Sequence, residues 1–170
     1  MSAFIALLRA VNVGGTGKLA MSDLKALCEA AGFAKVQTYI ASGNVVFTSP
    51  RPAAAVQKAL AAALAEYAGK PVGVLVRTAA EMAAVLADNP FPKAAPNRCV
   101  AIFLDTPPAP GCLAAASHVN GEEMALGKRE IYVHYGEGMA DSKLRIPAAA
   151  AGTARNMNTV AKLAQMAAAL

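Results

Sequence analysis

Short apolar runs alternate with helical periodicities in a fixed order through the first 77 residues. Residues 3–9 (AFIALLR) form an apolar run closed by Arg9, the pattern of a strand covered on both faces. A Gly-rich loop follows. Then Met21, Leu24, Leu27, Cys28 and Ala31 recur at helical spacing, with Ser22 as a candidate N-cap and Gly32 where a terminating glycine belongs. Residues 36–40 (VQTYI) and 44–48 (NVVFT) read as two short strands joined through Ala41-Ser42-Gly43. Pro50 and Pro52 open a second helix with Val56, Leu60 and Leu64 on one face, and Gly69 closes it. Residues 72–77 (VGVLVR) supply a fourth strand. The order β-α-β-β-α-β is the split βαβ, or ferredoxin-like (α/β plait), unit. It predicts a first subdomain over residues 1–77.

Residues 78–170 vary the same plan. Thr78 and Glu81 have capping-box spacing at the head of a helix over Met82, Val85 and Leu86, which stops at Asn89-Pro90. A strand at 99–104 (CVAIFL) precedes a proline cluster and a short helix near 113–117. Residues 122–126 and 130–135 read as a hairpin across Gly127-Lys128-Arg129. Pro147 interrupts 142–151, and a last helix covers 158–170 with Val160, Leu163, Ala164 and Ala167 inward. The expected fold is α+β: two ferredoxin-like subdomains, 1–77 and 78–170, packed into one compact unit. The strands FIALL, VLV and VAIFL are apolar on both faces, whereas helices in a lone plait cover one face only. The second subdomain is the expected cover.

Composition narrows the class. The chain has 170 residues and is 56% hydrophobic, but only 5% aromatic. Alanine, about a quarter of the residues, accounts for the difference. No run approaches the ~18 apolar residues of a membrane span. The start of the chain lacks a basic leader, so a signal peptide is not expected. Three cysteines, Cys28, Cys99 and Cys112, are too far apart for a zinc ribbon and odd in number for a disulfide framework. Core thiols at Cys28 and Cys99 and a cytoplasmic location are the expectations. The net charge is +5, of which residues 1–76 carry +4, with seven Lys/Arg against three Asp/Glu. That basic bias is thinner than the stripe of a dedicated nucleic-acid protein.

The motifs that remain are polar and sit beside strand ends. Gly14-Gly15-Thr16-Gly17-Lys18 joins a strand to a helix, where backbone N–H groups can cradle an anion with Lys18 as counter-charge. Neither the Walker A spacing nor GxGxxG is present, and a plain connection explains the loop equally well. Ser42-Gly43-Asn44 has the chemistry of a tight turn. In Thr153–Thr159 (TARNMNT), Asn156 or Asn158 is a candidate N-cap. Arg155 opposes the helix dipole there, which calls for a carboxylate partner or an anionic ligand. Lys143 and Arg145 add two cations nearby. His118 and His134 have no metal-ligand spacing, and His134 reads as a strand-face residue. No local pattern marks a catalytic residue, a metal site or a cofactor site.

Several of these segments together resemble a family. The run 7–15 (LLRAVNVGG) with Met21, and 38–47 (TYIASGNVVF), are similar to the opening signature of the bacterial domain of unknown function 1697 family. Asn89-Pro90-Phe91, residues 131–135 (IYVHY), Ser142-Lys143-Leu144 and residues 153–163 follow in the same order. The chain departs at Ala10, where glycine is expected, and at Met157, where many relatives carry tryptophan, which argues against a stacking platform there. The resemblance implies two ferredoxin-like subdomains and no established activity.

Function is left with four classes. The leading expectation is a binding module for an anionic small molecule or nucleotide, at the seam between the subdomains. Its candidate residues are Arg9, Asn12, Gly14, Gly15 and Lys18, with Ser42, Asn44, Lys143, Arg155 and Asn156. A protein-interaction module is second. Single-stranded nucleic-acid binding is third, through Phe4, Tyr39 and Phe47, although the RNP1 pattern is absent. An enzyme is fourth, and requires a pocket holding a base and an orienting partner.

Overall fold

An unbroken apolar run from Ala3 to Leu8 makes β1 (Ser2–Leu8) the natural centre of a sheet. In the computed structural model, which describes residues 1–9 and 18–170, it pairs antiparallel on both sides. The sheet order is β2 (Ala34–Tyr39), β3 (Asn44–Ser49), β1, β4 (Val74–Thr78). Phe4 stands opposite Phe47 on one side and Thr78 on the other. The crossovers are α1 (Met21–Ala30) and α2 (Ala53–Ala68). This is the ferredoxin-like order, as the sequence predicts.

The described residues divide into two units, Met1–Ala83 with Leu163–Leu170, and Ala84–Lys162. In the first, alternation along the strands sends Phe4, Ala6, Leu8, Val45, Phe47, Val74 and Val76 to one sheet face. There they join Leu24, Cys28, Val56, Leu60 and Leu64 in one core. Phe33 stacks on Phe47 with ring centres 4.3 Å apart. Ile5, Leu7, Val46, Leu75 and Arg77 alternate to the opposite face and are buried as well. Both faces are therefore covered, as the apolar runs require.

The helix ends follow local chemistry with one correction. Gly69 takes the left-handed conformation (φ 71°) and its N–H donates to Ala65 O, closing α2. Gly32 does the same after α1 with φ 90°. The N-cap of α1 is Ala20, without a side-chain hydrogen bond, so Ser22 lies inside the first turn.

The second unit repeats the strand order. β5 (Cys99–Phe103) lies between β7 (Glu130–His134) and β8 (Thr153–Asn156), with β6 (Glu123–Leu126) outside β7. Short 3-10 turns at Cys112–Ala115 and Pro147–Ala149 stand where the first unit has helices. Pro107, Pro108 and Pro110 precede the first turn and Pro147 begins the second. The helix expected near 113–117 is only a turn. Cys112, Leu113, Leu144 and Ile146 pack on Val100, Ile102, Ile131 and Val133 on one sheet face. Cys99, Ala101, Phe103 and Tyr132 are buried on the other. α3 (Ala79–Ala87) begins with a capping box, in which Thr78 N–H donates to Glu81 Oε1 (2.9 Å) and Glu81 N–H to Thr78 Oγ1 (3.1 Å). Tyr132 donates its hydroxyl to Val85 O at 2.7 Å. The segment 153–156, expected as a lead-in to the last helix, is strand β8. Its successor α4 (Met157–Ala168) buries Val160, Leu163 and Ala167. Among the described residues no helix is long and apolar enough to cross a membrane.

Candidate functional site

Strand ends in the first unit gather several predicted residues. Beyond β1, Leu8 N–H donates to Gly43 O (2.8 Å) and Arg9 N–H to Gly73 O (2.9 Å). Arg9 therefore lies between the turn at 40–43 and the connection into β4, and it is exposed. A Cβ on Gly73 would stand 3.0 Å from Arg9 Cβ, so glycine is what lets the arginine stem lie there. Asn44 is fully buried and donates from Nδ2 to Tyr39 O and to Ser42 Oγ, both at 2.9 Å. These bonds hold a strained turn in which Ile40 has φ 52° and Gly43 φ 90°. The structure thus brings Ser42 and Asn44 beside Arg9 and gives them a turn-building role. Lys18 is exposed. Asn12, Gly14 and Gly15 lie outside the described residues.

In the second unit Lys143 meets two further basic groups. Ser117 and Arg145 form an antiparallel bridge, Ser117 N–H to Arg145 O (2.9 Å) and Arg145 N–H to Ser117 O (3.0 Å). The bridge carries His118 in a left-handed conformation, φ 57°, with Nδ1 3.2 Å from Ser117 Oγ. His118, Lys143, Leu144 and Arg145 line an open cavity of about 440 Å³. Among the described residues no carboxylate lines it. His118 and Lys143 are 25 positions apart in sequence, and only the bridge reveals that they share a site.

Arg155 does not line that cavity. It is buried in β8 and donates from Nη1 to Thr153 Oγ1 (2.7 Å) and Ala154 O (2.9 Å). Burial lowers its pKa from 12.5 to about 10. Asn156 Oδ1 accepts the Thr159 N–H at 3.0 Å, which makes it the cap of α4.

Other chemistry is placed as follows. Phe4 and Phe47 are core residues, so they offer bases no platform. Cys28 and Cys99 are buried, as expected, and burial raises both thiols. Among the described residues no group of three His, Cys, Asp or Glu is placed to hold a metal ion. A larger groove of about 560 Å³ between α1 and α2 is walled mainly by alanines, with Arg51 and Glu66, and contains none of the predicted residues. The pair His134–Glu123 carries no motif in the sequence. Counting outward from a three-residue Gly127-Lys128-Arg129 turn sets Glu123 opposite Val133; the loop is one residue longer, with Leu126 opposite Ile131, and that register sets Glu123 opposite His134.

Comparison with known proteins agrees with this architecture. The solved structure of conserved bacterial protein SP0830 from Streptococcus pneumoniae is similar, with a TM-score of 0.79 at 23% identity, over 97% of this chain and 98% of that one. At that identity the likeness concerns the fold. No curated protein matches the chain. The model of the family described as protein of unknown function (DUF1697) matches residues 1–132. The chain, with its two ferredoxin-like subdomains, belongs to the DUF1697 family.

Proposed function

We propose that this protein is a binding module for an anionic small molecule or nucleotide. The observation that carries the reading is the grouping of Lys143, Arg145 and His118 around one cavity, with no carboxylate among the described residues that line it. Phosphate and carboxylate oxygens accept hydrogen bonds from such groups, and arginine offers a planar fork to them. The Ser117–Arg145 bridge fixes the backbone under two of the three, which reduces the ordering that binding must impose. Exposed Arg9 and Lys18 in the first unit are in keeping with the same ligand class.

The test is a thermal-shift series at low salt with pyrophosphate, nucleoside phosphates and small carboxylates. An anion at about 100 times its Kd stabilises by about 2.7 kcal/mol. For a chain of this size that is a rise of roughly 5–10 °C in Tm. The rise should shrink as salt screens the exposed cations, and disappear in Lys143→Ala/Arg145→Ala. Absence of any rise, or a rise that survives the double substitution, contradicts the reading.

A further inference from the structure

A second cavity in the Ala84–Lys162 unit is lined by a paired histidine and carboxylate. Glu123 and His134 face each other across the β6–β7 ladder, with Glu123 Oε1 3.2 Å from His134 Nδ1. A carboxylate accepts only, so the neutral ring carries its proton on Nδ1 and its lone pair on Nε2. No hydrogen bond from the described residues occupies Nε2. The ring is held from a second side by Phe91, 5.8 Å away between ring centres. Phe91 is itself fixed, because its N–H donates to Asn89 Oδ1 (3.0 Å) and its carbonyl accepts from Ala94 N–H (3.0 Å).

His134 and Glu123 line a cavity of about 480 Å³ with Pro90, Phe91, Pro92 and Lys93. Its walls are mostly apolar, and Lys93 adds one cation. Cys99 stands opposite His134 on the other neighbouring strand, which invites a thiol mechanism. The geometry argues against that. Cys99 is fully buried, its thiol donates towards Asn89 Oδ1 at 3.8 Å, and burial raises its pKa. A reactive cysteine needs the opposite environment.

We propose that His134 is a general base, positioned by Glu123, for hydrolysis of small esters that place an apolar group against Phe91 and the prolines. Nε2 takes a proton from water as the water oxygen bonds to the ester carbonyl carbon. The bond to the leaving alcohol oxygen then breaks. The products are the carboxylic acid and the alcohol, and the imidazolium returns its proton to the departing oxygen or to solvent. No oxidant or metal enters the balance. This site is separate from the anion cavity, and neither reading needs the other.

The probe is p-nitrophenyl acetate. General-base assistance of this kind contributes roughly 10²–10⁴-fold. The full chain should release p-nitrophenolate at least tenfold faster than either His134→Ala or His134→Gln, each shown folded by its melting transition. Added imidazole should restore His134→Ala more than it accelerates the unsubstituted chain. Glu123→Gln should lower kcat with little change in KM, and Glu123→Asp should recover part of the loss. Cys112→Ser should keep the full rate, which separates the reaction from acylation of a half-exposed thiol. Equal rates in the unsubstituted chain and both His134 variants, or a rate lost with Cys112, would overturn the proposal.

Discussion

Cys28 shows how one buried residue sets a property of the whole chain. Burial, and secondarily the charge of Glu29, pushes its thiol from 9.0 up to about 12. The folded chain keeps that proton where the unfolded chain has lost it. The stabilisation is therefore complete below pH 9 and is lost as pH rises towards 12. Arg155 works the other way from about pH 10, since its folded pKa is depressed and the unfolded chain then binds more protons. From pH 9 to 10 the raised Cys99 thiol acts in the same direction as Cys28. Melting temperature should fall across that window in the unsubstituted chain and fall less in Cys28→Ala. A native thiol-labelling assay at neutral pH should modify Cys112 first, because Cys28 and Cys99 are buried. The core role of both was legible, for Cys28 sits on an apolar helical face and Cys99 heads an apolar strand. The basic cavity was only half legible. Lys143 and Arg145 stand together in sequence, but His118 reaches them through a long-range bridge that no local pattern encodes.

Elements announced themselves where their burial was simple. β1, β3, β4 and β5 are short and largely apolar runs, and Val56, Leu60 and Leu64 mark α2 unambiguously. β8 did not, because its four residues (TARN) bury Thr153 and Arg155 instead of apolar side chains. The polar strand owes its place to pairing with β5, Ala101 opposite Arg155. The 3-10 turn before β8 ends close against that same strand. A Cβ on Gly152 would stand 2.7 Å from Phe103 O and 2.9 Å from Ile102 Cγ2. The first of these is backbone and yields poorly. Gly152→Ala should cost about 1–3 kcal/mol in urea unfolding. Gly111→Ala, whose Cβ meets nothing within 4 Å, should stay within about 0.5 kcal/mol of the unsubstituted chain.

On the scale of the whole molecule, one strand order is used twice, β2-β3-β1-β4 and β6-β7-β5-β8. The first copy fills its crossovers with helices and the second with short turns, which is why only the first was plain in the periodicity. The last eight residues, Leu163–Leu170, belong by contact to the first unit although they lie 80 positions beyond its main segment. No sequence pattern specifies that return. Deleting them should reduce amide-exchange protection in β1–β4 more than in β5–β7, and equal loss in both would contradict the division. The central claim is that the basic cavity of the second unit binds anions, and the most direct measurement is an amide chemical-shift titration with pyrophosphate at low salt. The account predicts saturable shifts centred on residues 117–119 and 143–145, abolished in Lys143→Ala/Arg145→Ala. Shifts centred elsewhere in the chain, or none at millimolar pyrophosphate, would contradict it.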